Sequence, residues 1–217
     1  MNRPTVYLVD DDDFVRSVVT EILRPIGYPL EDYASAEAFL AALHPGLSGC
    51  LVLDMQMPGM SGTELQAELH RRGVRLPIIF LSGFDDVPTT VIAIKGGAED
   101  YLIKPVDDDI LIERVLAAMA RDQEMRTEES SREQARIHLA KLTTREKEIL
   151  GLALAGHTNK EIARLLDISH RTIEAHRAHI FLKTGTSSLL DLAQMVAISN
   201  FQFSQGGPDP ADHRAGA

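Results

Sequence analysis

From Pro4 to Ala120 short apolar runs alternate with longer stretches in which apolar positions recur every three or four residues. The short runs, at Thr5–Val9, Leu30–Tyr33, Cys50–Leu53, Leu76–Leu81 and Asp100–Ile103, read as strands, Leu30–Tyr33 being the weakest. The longer stretches, near Phe14–Leu23, Ala36–Leu43, Ser61–Arg72, Val87–Lys95 and Asp107–Met119, read as helices. Residues 6–9, 51–53 and 78–81 are almost continuously apolar rather than alternating, which marks strands covered on both faces. Gly27, Gly46, Gly73 and Gly96-Gly97 follow helical stretches, where a positive φ is wanted. Five strand–helix units over residues 1–120 predict an α/β doubly wound, five-stranded parallel sheet.

Past residue 120 the pattern changes. Residues 121–140 hold almost no apolar side chain between Met125 and Ile137, and Asp122/Arg126, Glu128/Arg132 and Arg132/Arg136 are spaced four apart. A solvated, charge-laced helix continuing from the one before it is expected, with a flexible linker as the alternative. Residues 141–203 are helical throughout, and 204–217, rich in Gly, Pro and polar residues, read as a disordered tail. Charge follows the same division. Residues 1–120 carry 9 Lys+Arg against 19 Asp+Glu, whereas residues 141–200 carry 8 against 6 and four histidines. The overall charge of −10 therefore resides in the first part, and its sign does not speak against nucleic-acid binding by the last. The single Cys50 lies in an apolar run and is expected to be a core residue in a reducing compartment. With no apolar run of about eighteen residues and no leader pattern, a cytoplasmic protein without membrane contact is expected.

In doubly wound sheets ligands bind beyond the carboxyl ends of the strands. Those ends here carry Asp10-Asp11-Asp12-Asp13, Asp54, Ser82-Gly83 and Lys104-Pro105. Clustered carboxylates repel unless a cation joins them, and an all-oxygen set suits Mg²⁺. A carboxylate so placed can be the nucleophile towards a phosphoryl group, while a lysine and a hydroxyl neutralise its oxygens. Taken singly, an acidic run after a strand is often a solvated loop and a buried lysine a structural ion pair. The four strand ends together point to the chemistry. An EF-hand is excluded because the aspartates are consecutive and no glycine-centred loop with a closing Glu follows. A phosphotransferase built on Asp-x-Asp is excluded because position 56 is Gln.

The segments Val6–Asp13 (VYLVDDDD), Leu53–Gly59 (LDMQMPG), Leu81–Gly83 (LSG) and Tyr101–Pro105 (YLIKP) closely resemble the CheY-like receiver domain of bacterial response regulators over about residues 4–120. The resemblance implies that Asp10 and Asp11 form the acidic pair for Mg²⁺ (or Mn²⁺), with Asp54 and the backbone carbonyl of Gln56 as further ligands. Asp54 would accept phosphate from a sensor histidine kinase. Ser82 would be the switch hydroxyl, Tyr101 the switch aromatic and Lys104 the phosphate counter-ion. Two positions depart from the common pattern: Ser82 replaces the more frequent Thr, and Val106 stands where Phe is often found.

In the last part, Thr143 or Thr144, Thr158 or Asn159, and Ser169 are candidate N-caps for successive helices ending near Ala155, Leu166 and Lys183, with a fourth at Leu189–Ser199. Two of these joined by Asp167-Ile168-Ser169 make a helix-turn-helix, packed by Ile162, Ala163, Leu166, Ile168, Ile173, Ile180 and Leu182. The string from Leu142 to Gly185 resembles the LuxR-type DNA-binding domain, and with the receiver it is similar to the FixJ/NarL family, most of all the FixJ branch. That resemblance implies that the helix His170–Lys183 enters the major groove of double-stranded promoter DNA. Glu174, Ala175 and Ala178 would face the bases, with Lys160, Arg171, Thr172, Arg177 and Lys183 towards phosphates and His170 on the same outer face. A zinc site at His170, His176 and His179 lacks a fourth ligand at suitable spacing. The implied function is a phosphorylation-dependent transcriptional regulator of a two-component system. It would be a homodimer once phosphorylated, a partner of RNA polymerase in the sense of an activator, and no enzyme beyond self-catalysed phosphoryl transfer and dephosphorylation at Asp54. A helical domain that docks a protein instead of reading DNA is the alternative.

Overall fold

The computed structural model describes residues 3–83 and 96–201. The helix expected over Val87–Lys95 and the tail 204–217 lie outside them. In chain order the elements are β1 (Thr5–Val9), α1 (Asp13–Leu23), β2 (Leu30–Tyr33), α2 (Ala36–Ala42), β3 (Gly49–Asp54), α3 (Gly62–Arg71), β4 (Ile78–Ser82) and β5 (Asp100–Ile103). They are followed by α4 (Asp108–Ala140), α5 (Thr144–Leu154), α6 (Asn159–Leu165), α7 (His170–Thr184) and α8 (Leu189–Ser199). The chain divides into two compact units, the first reaching Arg126 and the second beginning at Thr127.

The first unit holds one parallel sheet in the order β2-β1-β3-β4-β5. Strands β1, β3 and β4 are buried along their whole length, as their unbroken apolar runs require. Alternate side chains leave each strand on opposite faces. Tyr7, Val9, Leu51, Leu53 and Phe80 pack with Phe39 of α2 and Leu65 and Leu69 of α3. Val6, Leu8, Cys50, Val52, Ile79 and Leu81 pack with Val19 and Leu23 of α1 and Leu111, Val115 and Met119 of α4. Cys50 is a core residue, and burial pushes its thiol up to about 12, so it carries no thiolate chemistry.

One element departs from expectation. Helix α4 runs unbroken from Asp108 to Ala140, but its charged segment does not begin on a solvated face. Asp122 is buried; its Oδ2 accepts the backbone N–H of Gly49 at 2.9 Å and Nε of Arg126 at 2.7 Å, and Arg126 also donates to the carbonyl of Leu47. Asp122 prolongs the inward stripe Leu111, Val115, Ala118 and Met119 by one turn, so the helix presents a carboxylate where an apolar residue would otherwise continue the core. Gly49 has a φ of +122°, and a Cβ there would run into the backbone of Thr5, so only glycine brings its N–H to this acceptor.

The second unit has its own core of Leu139, Leu142, Ile149, Leu150, Ala153, Ile162, Ala163, Ile173, Ile180 and Leu192. Thr143 rather than Thr144 caps α5, Thr158 rather than Asn159 caps α6, each in a reciprocal box with a Glu three residues on, and Ser169 caps α7. Asp167, at φ +50°, turns the chain between α6 and α7, and the N–H of Ile168 bonds back to Ala163 at 3.0 Å. Leu182 does not pack this core as expected: it is 80% exposed. The inward stripe of α7 runs Ile173, Ile180, Thr184, and residue 182 falls on the opposite side of the helix.

Replacing Asp122 by Ala strands the buried N–H of Gly49 and is expected to cost the first unit about 2 kcal/mol. Urea unfolding followed by circular dichroism reads this directly, with Asp122→Asn expected to lose less because it keeps one acceptor.

Candidate functional site

Sheet order places the ends of β1, β3, β4 and β5 side by side, which is what gathers residues distant in sequence. Just past Val9, Asp10 is 1% exposed; at the end of β3, Asp54 is 6% exposed. Lys104, just past β5, donates through Nζ to Asp10 Oδ2 at 2.6 Å and to Asp54 Oδ1 at 2.5 Å. Its own backbone N–H bonds the carbonyl of Ser82 at 2.7 Å, which locks the end of β5 to that of β4. Ser82 is buried, and Tyr101 is half-buried on β5 against the core formed by α2 and α3. The N–H of Gln56 donates to Asp54 Oδ2 at 2.9 Å, fixing the peptide that leaves the strand, while the Gln56 side chain is exposed. Gly62 closes the loop: its N–H bonds Met55 O at 3.1 Å, and a Cβ there would strike the carbonyl of Asp54 and reach the ring of Phe80.

Burial raises the pKa of Asp54, with the Lys104 ammonium beside it pulling the other way; burial would lower that of Lys104, but Asp10 and Asp54 outweigh it and the net shift is upward. The ion triad is thus held charged on the lysine side.

The four consecutive aspartates separate by task. Asp10 takes Lys104 and the N–H of Asp12 at 2.9 Å. Asp12 caps α1 through the N–H groups of Phe14 and Val15. Asp13 pairs with Arg16. Asp11 is exposed and, among the described residues, makes no hydrogen bond or ion pair, which leaves its carboxylate available to a cation. Among the described residues no three His, Cys, Asp or Glu side chains form a ready metal cage. Two carboxylates, a backbone carbonyl and water nevertheless suit Mg²⁺, which keeps much of its hydration and needs no all-protein cage. Asp11, Asp54 and Gln56 fit that description, with Asp10 behind them.

Arg16 is a component that the sequence reading missed. Its Nη1 donates to the carbonyl of Asp10 at 2.7 Å and its Nε to Asp32 Oδ2 at 3.1 Å, alongside the pair with Asp13. A signal existed: it is the sole basic residue of α1, one turn after an acidic run.

On the helical unit, Arg171, Glu174, Ala175 and Ala178 are exposed and follow one stripe of α7, with exposed Lys160 on α6 and His170 at the start of α7. His170 Nδ1 lies 3.7 Å from Glu174 Oε1. Thr172 is half-buried, its hydroxyl 2.8 Å from that of Ser169 at the cap. Two residues expected towards phosphates are turned inward instead. Lys183 Nζ holds both oxygens of buried Glu146, at 2.9 and 2.7 Å, and Arg177 Nη1 donates to Asn159 Oδ1 at 2.7 Å. The reason is helical phase: 177 and 183 flank the buried positions Ile173, Ile180 and Thr184. Arg164, exposed one turn beyond Lys160 on α6, adds a cation to the outer face that the sequence reading left out.

The family described as response regulator receiver domain matches residues 6–116, and that described as bacterial regulatory proteins, luxR family, matches residues 140–196. The chain is 41% identical over 209 residues to the transcriptional regulatory protein TdiR of Thauera aromatica, covering 96% of this chain and 92% of the relative. It is 39% identical over 207 residues to the transcriptional regulatory protein FixJ of Azorhizobium caulinodans, covering 95% of each. Among solved structures, the response regulator StyR matches with a TM-score of 0.82 at 38% identity, over 90% of this chain and 99% of that one. FixJ-N matches with a TM-score of 0.51 at 40% identity, over 55% of this chain and 96% of that one.

Burial would raise the pKa of Glu146, but Lys183 and the Thr143 cap outweigh it and the net shift is downward. Its ion pair therefore stabilises the helical unit fully above the ordinary Glu range and loses that contribution as pH falls through the lowered value. Lys183→Ala is expected to cost the helical unit about 2 kcal/mol near neutral pH and much less in acid. Urea titrations at several pH values check both the size and the trend.

Proposed function

The chain belongs to the response regulators of two-component systems that join a receiver to a LuxR-type DNA-binding domain, and from that premise we propose that Asp54 is its phosphoacceptor and the outer face of α7 its base-reading surface. It is a transcriptional regulator with a kinase and DNA as partners. Among the described residues no helix is long and apolar enough to cross a membrane. The observation that carries the residue assignment is the ammonium of Lys104 shared between the two buried carboxylates of Asp10 and Asp54.

An Asp54 oxygen attacks the phosphorus of a kinase phosphohistidine, the P–N bond breaks, and the imidazole leaves with the electron pair. Asp11, Asp54 and the Gln56 carbonyl, with Asp10 beside them, would hold Mg²⁺, which would supply charge neutralisation for the phosphoryl oxygens. Lys104 follows the new dianion with its ammonium, and the Ser82 hydroxyl donates to another of its oxygens. Tyr101 fills the space that Ser82 leaves. These shifts bias the surface at β5 towards a homodimer. Apart from transferring and hydrolysing its own phosphoryl group, the protein turns over no substrate. It works in the cytoplasm, where its DNA is, and activates transcription by engaging RNA polymerase at the promoter.

On DNA, Glu174 accepts from a cytosine amino group while Ala175 and Ala178 touch thymine methyls. Lys160, Arg164 and Arg171 reach phosphates. Two copies on half-sites about ten base pairs apart bind more tightly than either alone.

Intact mass after incubation with phosphoramidate and Mg²⁺ should show one added phosphoryl group on the wild type and none on Asp54→Asn. Light scattering with beryllium fluoride should shift wild type, but not Asp54→Ala, from monomer to dimer; an unchanged wild type refutes phosphorylation-driven dimerisation. In operator selection, Glu174→Ala should relax the preference at one base pair per half-site and leave the others, with a loss of about tenfold at that pair.

A further inference from the structure

We propose that Arg16 is a positioning residue for the cation site: through three nitrogens it holds the peptide between Asp10 and Asp11 and neutralises Asp13 and Asp32, so that Asp11 is presented to the metal. This rests on the reading of Asp10, Asp11 and Asp54 as the cation site.

The geometry is unusual for a surface arginine. Its side chain is only 12% exposed, and Nη1, Nε and Nη2 each have a different acceptor: the Asp10 carbonyl at 2.7 Å, Asp32 Oδ2 at 3.1 Å, and Asp13. The first contact matters most. A peptide unit is planar, so pinning the Asp10 carbonyl also fixes the amide of Asp11 and the direction in which its Cα leaves. The Asp10 side chain is held independently by Lys104 and by the Asp12 N–H, so residue 10 is fixed at both ends and Asp11 departs from a rigid base. Asp12 is occupied as the cap of α1, and Arg16 occupies Asp13. Of four adjacent carboxylates, only that of Asp11 stays without a partner among the described residues. Arg16 thus turns an acidic run that could wrap a cation in several ways into one that offers a single free carboxylate.

A bare charge and a positioning fork predict opposite outcomes. A cation beside the site repels the metal, so removing it should tighten binding by Coulomb's law alone. Removing a residue that orients a ligand should weaken binding, by about tenfold for such outer contacts. A lysine keeps the charge but has one nitrogen and cannot span three acceptors.

Mn²⁺ binding to the full chain, without phosphodonor, can be followed by the electron paramagnetic resonance signal of the free ion for wild type, Arg16→Gln and Arg16→Lys. The expected result is binding about tenfold weaker in both variants than in wild type. Tighter binding by Arg16→Gln, or wild-type affinity in Arg16→Lys, overturns the proposal. Should Arg16→Gln fail to fold, Arg16→Lys decides, since it retains the charge among the acids. Wild type that binds no Mn²⁺ overturns the cation-site reading itself, a different failure recognisable before any variant is compared.

Discussion

Two carboxylates buried at the ends of neighbouring strands can coexist only because one ammonium lies between them. Asp10 and Asp54 would repel in a low-dielectric setting, and neither has bulk water to disperse its charge. Lys104 resolves this by donating to both; burial still leaves the pKa of Asp54 raised against the pull of the ammonium, while the two carboxylates hold the lysine charged. An arrangement balanced in this way is responsive. A divalent cation or a phosphoryl dianion changes the sum of charges around one flexible side chain, and that side chain must find new partners. The backbone of Lys104 is bonded to Ser82, so the charge centre and the Ser82 hydroxyl sit on strands already joined at their ends.

That triad depends on the sheet. The order β2-β1-β3-β4-β5 puts the residues at or just past the ends of β1, β3 and β5 within reach of one another, and the fully covered strands β1 and β3 keep the two aspartates dry enough for the lysine to matter. Strand β3 is tied at both ends. At one, Asp54 meets Lys104 and the N–H of Gln56; at the other, Gly49 is held by Asp122 from α4. A short, wholly buried strand pinned at its two termini cannot slide relative to its neighbours, so a change at Asp54 is passed sideways into loops and side chains rather than along the strand.

Much of this was legible because period and residue type coincide. The five strands, the Ser169 cap and the residues at the strand ends all follow from local pattern, which also narrows two further caps to neighbouring pairs from which the structure picks Thr143 and Thr158. What escaped lies where a polar residue occupies an inward phase. Asp122, Arg177 and Lys183 read as solvated because they are charged, yet each falls on or beside a buried stripe and finds a partner distant in sequence. Leu182 failed the opposite way: apolar, but on the outer side of its helix. Arg16 stood out only as the one basic residue of α1 after an acidic run; its acceptor at Asp10 is a backbone carbonyl, which no sequence pattern marks.

The inward turn of Lys183 and Arg177 bears on how the helical unit can hold DNA. Residues 141–200 carry only two more basic than acidic residues, and these two cations are already engaged. Lys160, Arg164 and Arg171 remain on the outer face, few enough that counterion release from one copy gives weak attachment to any sequence. The carboxylate of Glu174, exposed on α7, would be repelled by phosphates and would gain only where a base offered it a donor. A surface so poor in general attraction discriminates well but holds poorly, which is the condition under which joining two copies changes occupancy most.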